Sequence, residues 1–373
     1  MINFQKHMLQ VGISDSIKYL SFQYIYITIK YSIVVERIKF KIFIFLIIIN
    51  IFIICFFYKY NYVKNFPLLF ERKINSYNFD KSFSIEDKEK YYSKKKFAII
   101  KRFDCPDCGF FSFYIVHLGC ISYYLSKGYI PIVDLQSFKN VYNNGNITKN
   151  NPWENFFYQP FNYTLEEVKK NAKIIKNFEC VPSFYRPNEI NIYYDKNNIN
   201  FWHNFALRYM PLKNELINEA KIIMHKLFNN SKNILGVKLR GTDYLSSNFK
   251  KHSIPPKVEQ VIFDVKSMDK KYKYDYIFFA TEDELIKRKF CLKFGNKLKL
   301  LNPNVFIKYD YKTLINISNY INGNLDYIKN YVLNIIVLSN CLDIIMSRCN
   351  GAAGIFILSN GFRHTKIYNL GVY

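Results

Sequence analysis

A lysine and an arginine two residues apart, closing a short apolar run, are the first residues here whose types and spacing could do chemistry. Asn233 to Tyr244 reads NILGVKLRGTDY. Ile234, Val237 and Leu239 suit a buried strand. Its two-residue period sets Gly236, Lys238 and Arg240 on one face. Gly241 permits a tight turn, and Thr242 and Asp243 are turn and cap residues. Cations at the carboxyl end of a parallel strand stand where open α/β sheets bind ligands. A guanidinium there can hold a phosphate with two parallel hydrogen bonds. The competing reading is a strand that simply ends in a solvated Arg-Gly turn.

Two later strand ends shift that balance. Tyr276-Ile277-Phe278-Phe279 runs into Ala280-Thr281-Glu282-Asp283-Glu284. A carboxylate there can accept from a nucleotide base or ribose, or merely favour the amino end of the next helix. Ser347-Arg348-Cys349-Asn350 opens onto Gly351-Ala352-Ala353-Gly354, a helix start with free amides and little bulk that suits a pyrophosphate. Together the three ends describe a nucleotide-diphosphate pocket. Its candidate donor-side residues are Lys238, Arg240, Thr242, Glu282, Asp283, Ser347, Arg348 and Asn350.

The elements that must position them alternate. Strands are expected at Phe97–Ile100 and Ile130–Val133, with a helix over Phe111–Ser126 between them, a βαβ unit. The loop before that helix, with Gly109 and Ser112, favours anions or hydroxyls. Asn151-Pro152-Trp153-Glu154 follows an Asn/Gly loop, and Thr164 with Glu167 forms a capping box. A long helical stretch, Phe201–Phe228, breaks at Pro211 and carries the chain to a second lobe. There, strands ending at Arg240 and at Asp275–Ala280, Val305–Lys308 and Asp343–Met346 alternate with helices from Pro255–Pro256 to about Lys270, Asp283–Phe294, Leu325–Leu338 and Asn350–Leu358. This alternation predicts a parallel, doubly wound α/β sheet.

The chain has 373 residues, enough for two cores, and half are hydrophobic, which excludes wholesale disorder. Its net charge of +24 fits polyanions, anionic lipid or phosphorylated ligands. No nucleic-acid-binding motif accompanies that charge, so no nucleic-acid partner is expected. Ile42–Tyr58 is almost uninterrupted Ile, Phe and Leu and reads as one membrane-spanning anchor. The expected organisation is therefore an amino-terminal segment 1–41, an anchor 42–58, a stalk 59–95 and two lobes, 96–228 and 229–373. The eight cysteines do not resemble a disulfide framework. Cys105-Pro-Asp-Cys108 has CxxC spacing with no second pair to complete a zinc site.

GVKLRGTDY, YIFFATEDE and LSNCLDIIMSRCNGAAGIFILSNGF resemble the superfamily of α-1,6-, α-1,2- and protein O-fucosyltransferases, nearest to small bacterial-type members. CGFFSFYIVHLGCISYYLSKGYIPIVDL and NPWENFFYQP look like the same group, so the resemblance spans about residues 96–373. It implies a GT-B fold of two Rossmann-like lobes, an inverting mechanism, no metal or other cofactor, and GDP-fucose as donor. The family's arginine that contacts the donor β-phosphate, from its His-x-Arg motif, corresponds to Arg240. Its acid after the Ala-Thr strand end corresponds to Glu282/Asp283, and its phosphate-contacting serine to Ser347, with Asn350 beside it. The family's histidine is Lys238 here. Lysine keeps a cation for phosphate but is no neutral base at pH 7, and it leaves the donor sugar open.

Breaking a sugar diphosphate bond leaves charge that Arg240 would neutralise as it develops. No Asp-x-Asp is present to chelate a metal. The acceptor hydroxyl's proton needs a base, for which Asp243 and Glu154 are candidates. Asp243 alternatively caps a turn, and Glu154 alternatively is a surface acid. Gly109, Ser112, Trp153 and Glu154 are expected to face a glycan or glycoprotein acceptor. The alternatives are another nucleotide sugar on the same fold, or a non-catalytic basic protein at a membrane surface.

Overall fold

The computed structural model describes residues 40, 43–45, 49–50, 94–102, 108–177, 185–241, 253–301, 324–359 and 361–372. The chain divides into two compact units, Met1–Glu71 and Arg72–Tyr373. Of the first unit, the described residues are helical and exposed. The expected anchor 42–58 lies largely outside the described residues, and no described helix is long and apolar enough to cross a membrane. The expected stalk as far as residue 93, the strand Val305–Lys308, Thr242 and Asp243 also fall outside them.

The second unit is mixed α/β, built on two parallel sheets. Its amino-terminal part runs β1 (Lys96–Ile100), α1 (Phe110–Ser126), β2 (Ile130–Val133), α2 (Leu165–Asn171), β3 (Ile174–Asn177), α3 (Glu189–Tyr194), α4 (Lys196–Tyr209) and α5 (Asn214–Phe228). Its carboxyl-terminal part runs β4 (Ile234–Lys238), α6 (Val258–Tyr272), β5 (Tyr276–Ala280), α7 (Glu284–Phe294), β6 (Leu298–Lys299), α8 (Leu325–Ser339), β7 (Asp343–Ser347), α9 (Asn350–Leu358) and β8 (Thr365–Tyr368). Pro211 separates α4 from α5 as its missing amide requires. The Thr164–Glu167 capping box forms in both directions, at 3.2 and 3.0 Å.

The first sheet has the order β2-β1-β3 and the second β6-β5-β4-β7-β8. In the second, the chain winds outward from β4 through β5 to β6, then returns to the other side of β4 for β7 and β8. Strand order therefore reverses between β4 and β7. In open parallel sheets that reversal leaves a crevice at the carboxyl ends, the usual ligand position.

Burial follows the alternation along β4. Leu235, Val237 and Leu239 join Val261 and Val265 of α6 and Ile286 and Phe290 of α7 in one core cluster. Gly236 and Lys238 face the other way, toward α8. Gly236 is needed there, because a Cβ would stand 2.6 Å from Ile344 Cδ1 and 3.1 Å from Cys341 Sγ. The first sheet has a separate core of Phe97, Ile99, Ile130 and Ile132 against Leu165 and Val168 of α2.

Helix α9 ties the two sheets together. It is buried almost throughout, and a Cβ on Gly354 would overlap the Phe111 ring of α1. Tyr193 of α3 donates its hydroxyl to Cys349 O at 3.2 Å, and His203 Nδ1 of α4 lies 2.8 Å from Ile357 O. The helix whose amino end was expected to seat a diphosphate is thus also the joint between the lobes.

Cys108 is disulfide-bonded. Pairing is set by proximity of Cβ atoms in space, which spacing along the chain does not reveal.

Candidate functional site

Lys238 ends β4 with only 5% of its surface exposed. Its Nζ lies 6.0 Å from the centre of the Tyr331 ring of α8. Its Cε stands 3.1 Å from where a Cβ on Gly351 would be, so the side chain lies against the first turn of α9. Among the described residues no carboxylate pairs with it. A mostly buried ammonium beside the positive end of a helix is an unfavourable arrangement until an anion joins it. Two positive ends converge where an anion would satisfy both.

Arg240 follows within two residues. Its Nε lies 3.7 Å from Glu282 Oε1, and the same oxygen accepts from the Gly241 amide at 3.2 Å. Glu282 therefore holds the Arg-Gly turn in place and half-neutralises the guanidinium. Gly241 has a steric cause: a Cβ there would sit 2.5 Å from Asp283 Oδ2. Asp283 is buried and caps α7, with Oδ1 accepting from Leu285 and Ile286 amides at 2.9 and 3.0 Å. Such a cap stabilises by ~1 kcal/mol, and Asp283 is placed for that work beneath the site rather than in it.

A cleft opens beside Lys238. Leu300, Leu301, Ile335 and Leu338 supply its apolar lining, and Thr281, Glu282, Tyr327, Asn330, Tyr331 and Asn334 its polar groups. An apolar slot with a few convergent donors and acceptors is the usual form of a small-ligand site. The α8 residues were not anticipated. Their signal is the spacing 327, 330, 331, 334, 335, 338, one face of a helix.

The first sheet's carboxyl edge faces the same region. Tyr142, buried, donates to Cys108 O at 2.5 Å. Burial, above all, and the neighbouring Tyr331 raise its hydroxyl well above the usual range, while Arg102 and Arg240 pull the other way. The charge of Arg240 thus reaches across from the second sheet. Arg102, just past β1, donates to Ser112 Oγ at 2.8 Å and lies 5.2 Å over the Phe113 ring.

The remaining candidates scatter. Ser347 is the last residue of β7 and is buried. Strand alternation puts it with Ile345 on the face covered by α6 and α7, opposite Lys238. Arg348 turns to the outer edge, donating to Asn369 Oδ1 at 3.0 Å. Asn350 is half-buried at the first position of α9, behind the N-cap Cys349, whose Sγ accepts from the Ala352 amide at 3.4 Å. Gly109 is exposed at the start of α1, with nothing near its Cα face.

Trp153 requires a correction. It is fully buried and stacks 4.5 Å from Phe157, so its ring is core and does not face an acceptor. Glu154, next in the same turn, is half-buried.

Among the described residues, a dense polar cluster lies at the opposite end of β7. Buried Asp343 accepts from Arg363 Nη2 at 2.6 Å and from the His364 amide at 2.8 Å, and Tyr274 donates to it as well. Its oxygens are used in pinning β8, far from the carboxyl ends.

No protein-family model matches the chain, and no curated protein sequence matches it. Among solved structures, NodZ α-1,6-fucosyltransferase soaked with GDP-fucose is similar at 12% identity and TM-score 0.40, over 71% of this chain and 93% of that one. Fucosyltransferase NodZ from Bradyrhizobium is similar at 13% identity and TM-score 0.37, over 68% and 88%. POFUT1 in complex with GDP-fucose is similar at 8% identity and TM-score 0.35, over 57% and 60%.

Proposed function

We propose that this chain is a GT-B-type glycosyltransferase that moves a sugar, fucose from GDP-fucose, to a hydroxyl of a glycan or protein with inversion and without a metal. The observation that carries the reading is Lys238, a buried cation with no carboxylate partner among the described residues. It lines a cleft at the carboxyl ends of β4 and β5, under α8, and lies against the amino end of α9. That arrangement is built for an anion of concentrated charge, and a nucleoside diphosphate is one. The apolar slot between β5 and α8 offers its base a place to lie, with Glu282 and the two asparagines at hand. The choice of fucose rests on the sequence motifs around Arg240, Glu282 and Ser347.

Charge development explains the cations. As the sugar C1–oxygen bond breaks, the electron pair leaves with the diphosphate, and groups fixed nearby stabilise it without reorganising. Lys238 and the α9 amides are fixed already. Arg240 must partly exchange Glu282 for the phosphate. A membrane tether through 42–58, largely outside the described residues, belongs to the same proposal.

A donor panel tests it. Purified protein incubated with GDP-fucose, GDP-mannose and UDP-sugars is expected to release GDP from GDP-fucose above the others. Turnover of a different nucleotide sugar would keep the fold and change the donor. No turnover and no binding of any GDP-sugar would remove the fucose reading.

A further inference from the structure

The carboxyl end of β2 carries a built arrangement of three polar side chains that the diphosphate cleft does not use. Asn151 and Gln159 are both buried. Gln159 Oε1 accepts from the Val133 amide at 2.9 Å, which fixes its Nε2 toward Val133 O at 2.7 Å and Glu154 Oε1 at 2.8 Å. Asn151 Oδ1 accepts from the Leu135 amide at 3.1 Å, which fixes its Nδ2 toward Val133 O at 2.7 Å and Glu154 Oε1 at 3.3 Å. Neither amide can be reversed without facing carbonyl to carbonyl or amide to amide. One oxygen of Glu154 is therefore clamped by two donors that the backbone itself orients.

The other oxygen is unused: among the described residues no hydrogen bond or ion pair reaches Glu154 Oε2. The residue is only half-buried, so that oxygen has access. A carboxylate kept for structure commonly meets a cation or an amide on both sides, as Asp343 does here. Glu154 also stands at the correct edge. Its neighbour Trp153 packs 5.7 Å from Phe110, which packs 5.3 Å from Tyr142. Phe110 also meets Phe111 at 6.2 Å, which packs 5.7 Å from Tyr331 of α8.

We propose, resting on the transferase reading above, that Glu154 is the general base and that Asn151 and Gln159 are its positioning residues. The acceptor hydroxyl oxygen attacks the sugar's anomeric carbon on the face opposite the diphosphate. The C1–O–P linkage breaks at C1, and its electron pair leaves on the β-phosphate. The hydroxyl proton passes to Glu154 Oε2, which later releases it to solvent. Without a fixed carboxylate the oxygen attacks as a neutral hydroxyl, a loss of 10²–10⁴-fold for a positioned base of this kind.

The test uses the full chain with GDP-fucose and an acceptor it turns over. Glu154→Gln keeps size and the clamped oxygen, so folding is retained. Expected are a fall in kcat of about 100-fold or more, GDP affinity within twofold of wild type, and partial recovery of Glu154→Ala activity with added formate. Gln159→Leu should lower kcat by roughly tenfold, with less change in KM, because one of the two clamps remains. Glu154→Gln with kcat within threefold of wild type, or Glu154→Ala that formate leaves unchanged, would overturn the base. A wild-type chain that binds and turns over no nucleotide sugar would overturn the transferase reading and the base with it.

Discussion

Lys238→Met is expected to weaken GDP binding and to strengthen the empty protein, two effects of opposite sign from one change. A charge-assisted hydrogen bond contributes about 1.5–3 kcal/mol, so losing the ammonium should raise the Kd for GDP roughly 10- to 150-fold. The unliganded protein should gain, because methionine fills the same space without a desolvated charge beside the α9 amino end. Replacing a poorly compensated buried charge by an apolar group of similar shape is neutral or stabilising, here by about 1 kcal/mol, which corresponds to a rise of roughly 2–4 °C in Tm. Calorimetric titration with GDP and a thermal melt without it measure the two together. Arg240→Ala should show only the first effect, since Arg240 is part-exposed and already meets Glu282. A Lys238→Met protein that binds GDP like wild type would take the lysine out of the site.

Acid should destabilise this protein early, and one residue should account for much of it. His117 of α1 is fully buried, 4.9 Å from the Trp153 ring, and neither ring nitrogen has a hydrogen-bond partner. Burial, helped by the nearby Arg102, pushes its pKa down to about 3. The unfolded chain takes up the proton near pH 6.5. The neutral ring's contribution is therefore intact above that value and is lost as the pH falls toward 3. By linkage the loss is about 3 kcal/mol at pH 4.5 and roughly 5 kcal/mol once both states are protonated. His117→Phe keeps the aromatic packing and removes the proton. Its denaturation midpoint should match or exceed wild type at pH 7 and greatly exceed it at pH 4.5. Equal acid sensitivity in the two proteins would place the titrating group elsewhere.

What could be read from the sequence was local. Lys238-x-Arg240 at a strand end, Asp283 before α7, the Thr164–Glu167 box and the break at Pro211 all declare themselves within a few residues, and each forms at or near its expected place. What escaped depends on distant contacts. Thr365–Tyr368 carries a lysine and is largely uncovered, and it becomes a strand only because β7 lies beside it. Ile174–Asn177 and the two-residue Leu298–Lys299 are edges of the same kind. The face Tyr327–Asn334 presents to Lys238 needed the lobe's topology, as did the side on which Ser347 lies. Trp153 looked like a surface aromatic next to an acid, yet it fills the core while Glu154 stays at the rim. The pattern N-P-W-E fixes which residue turns inward only once Phe110 and Phe157 are known to flank it.

A crystal structure with GDP soaked in measures the central claim most directly. The account predicts diphosphate oxygens within hydrogen-bond distance of Lys238 Nζ and the Arg240 guanidinium, facing the first amides of α9, with the base in the slot between the carboxyl end of β5 and α8. A diphosphate bound away from Lys238, or an empty cleft at saturating GDP, would contradict it.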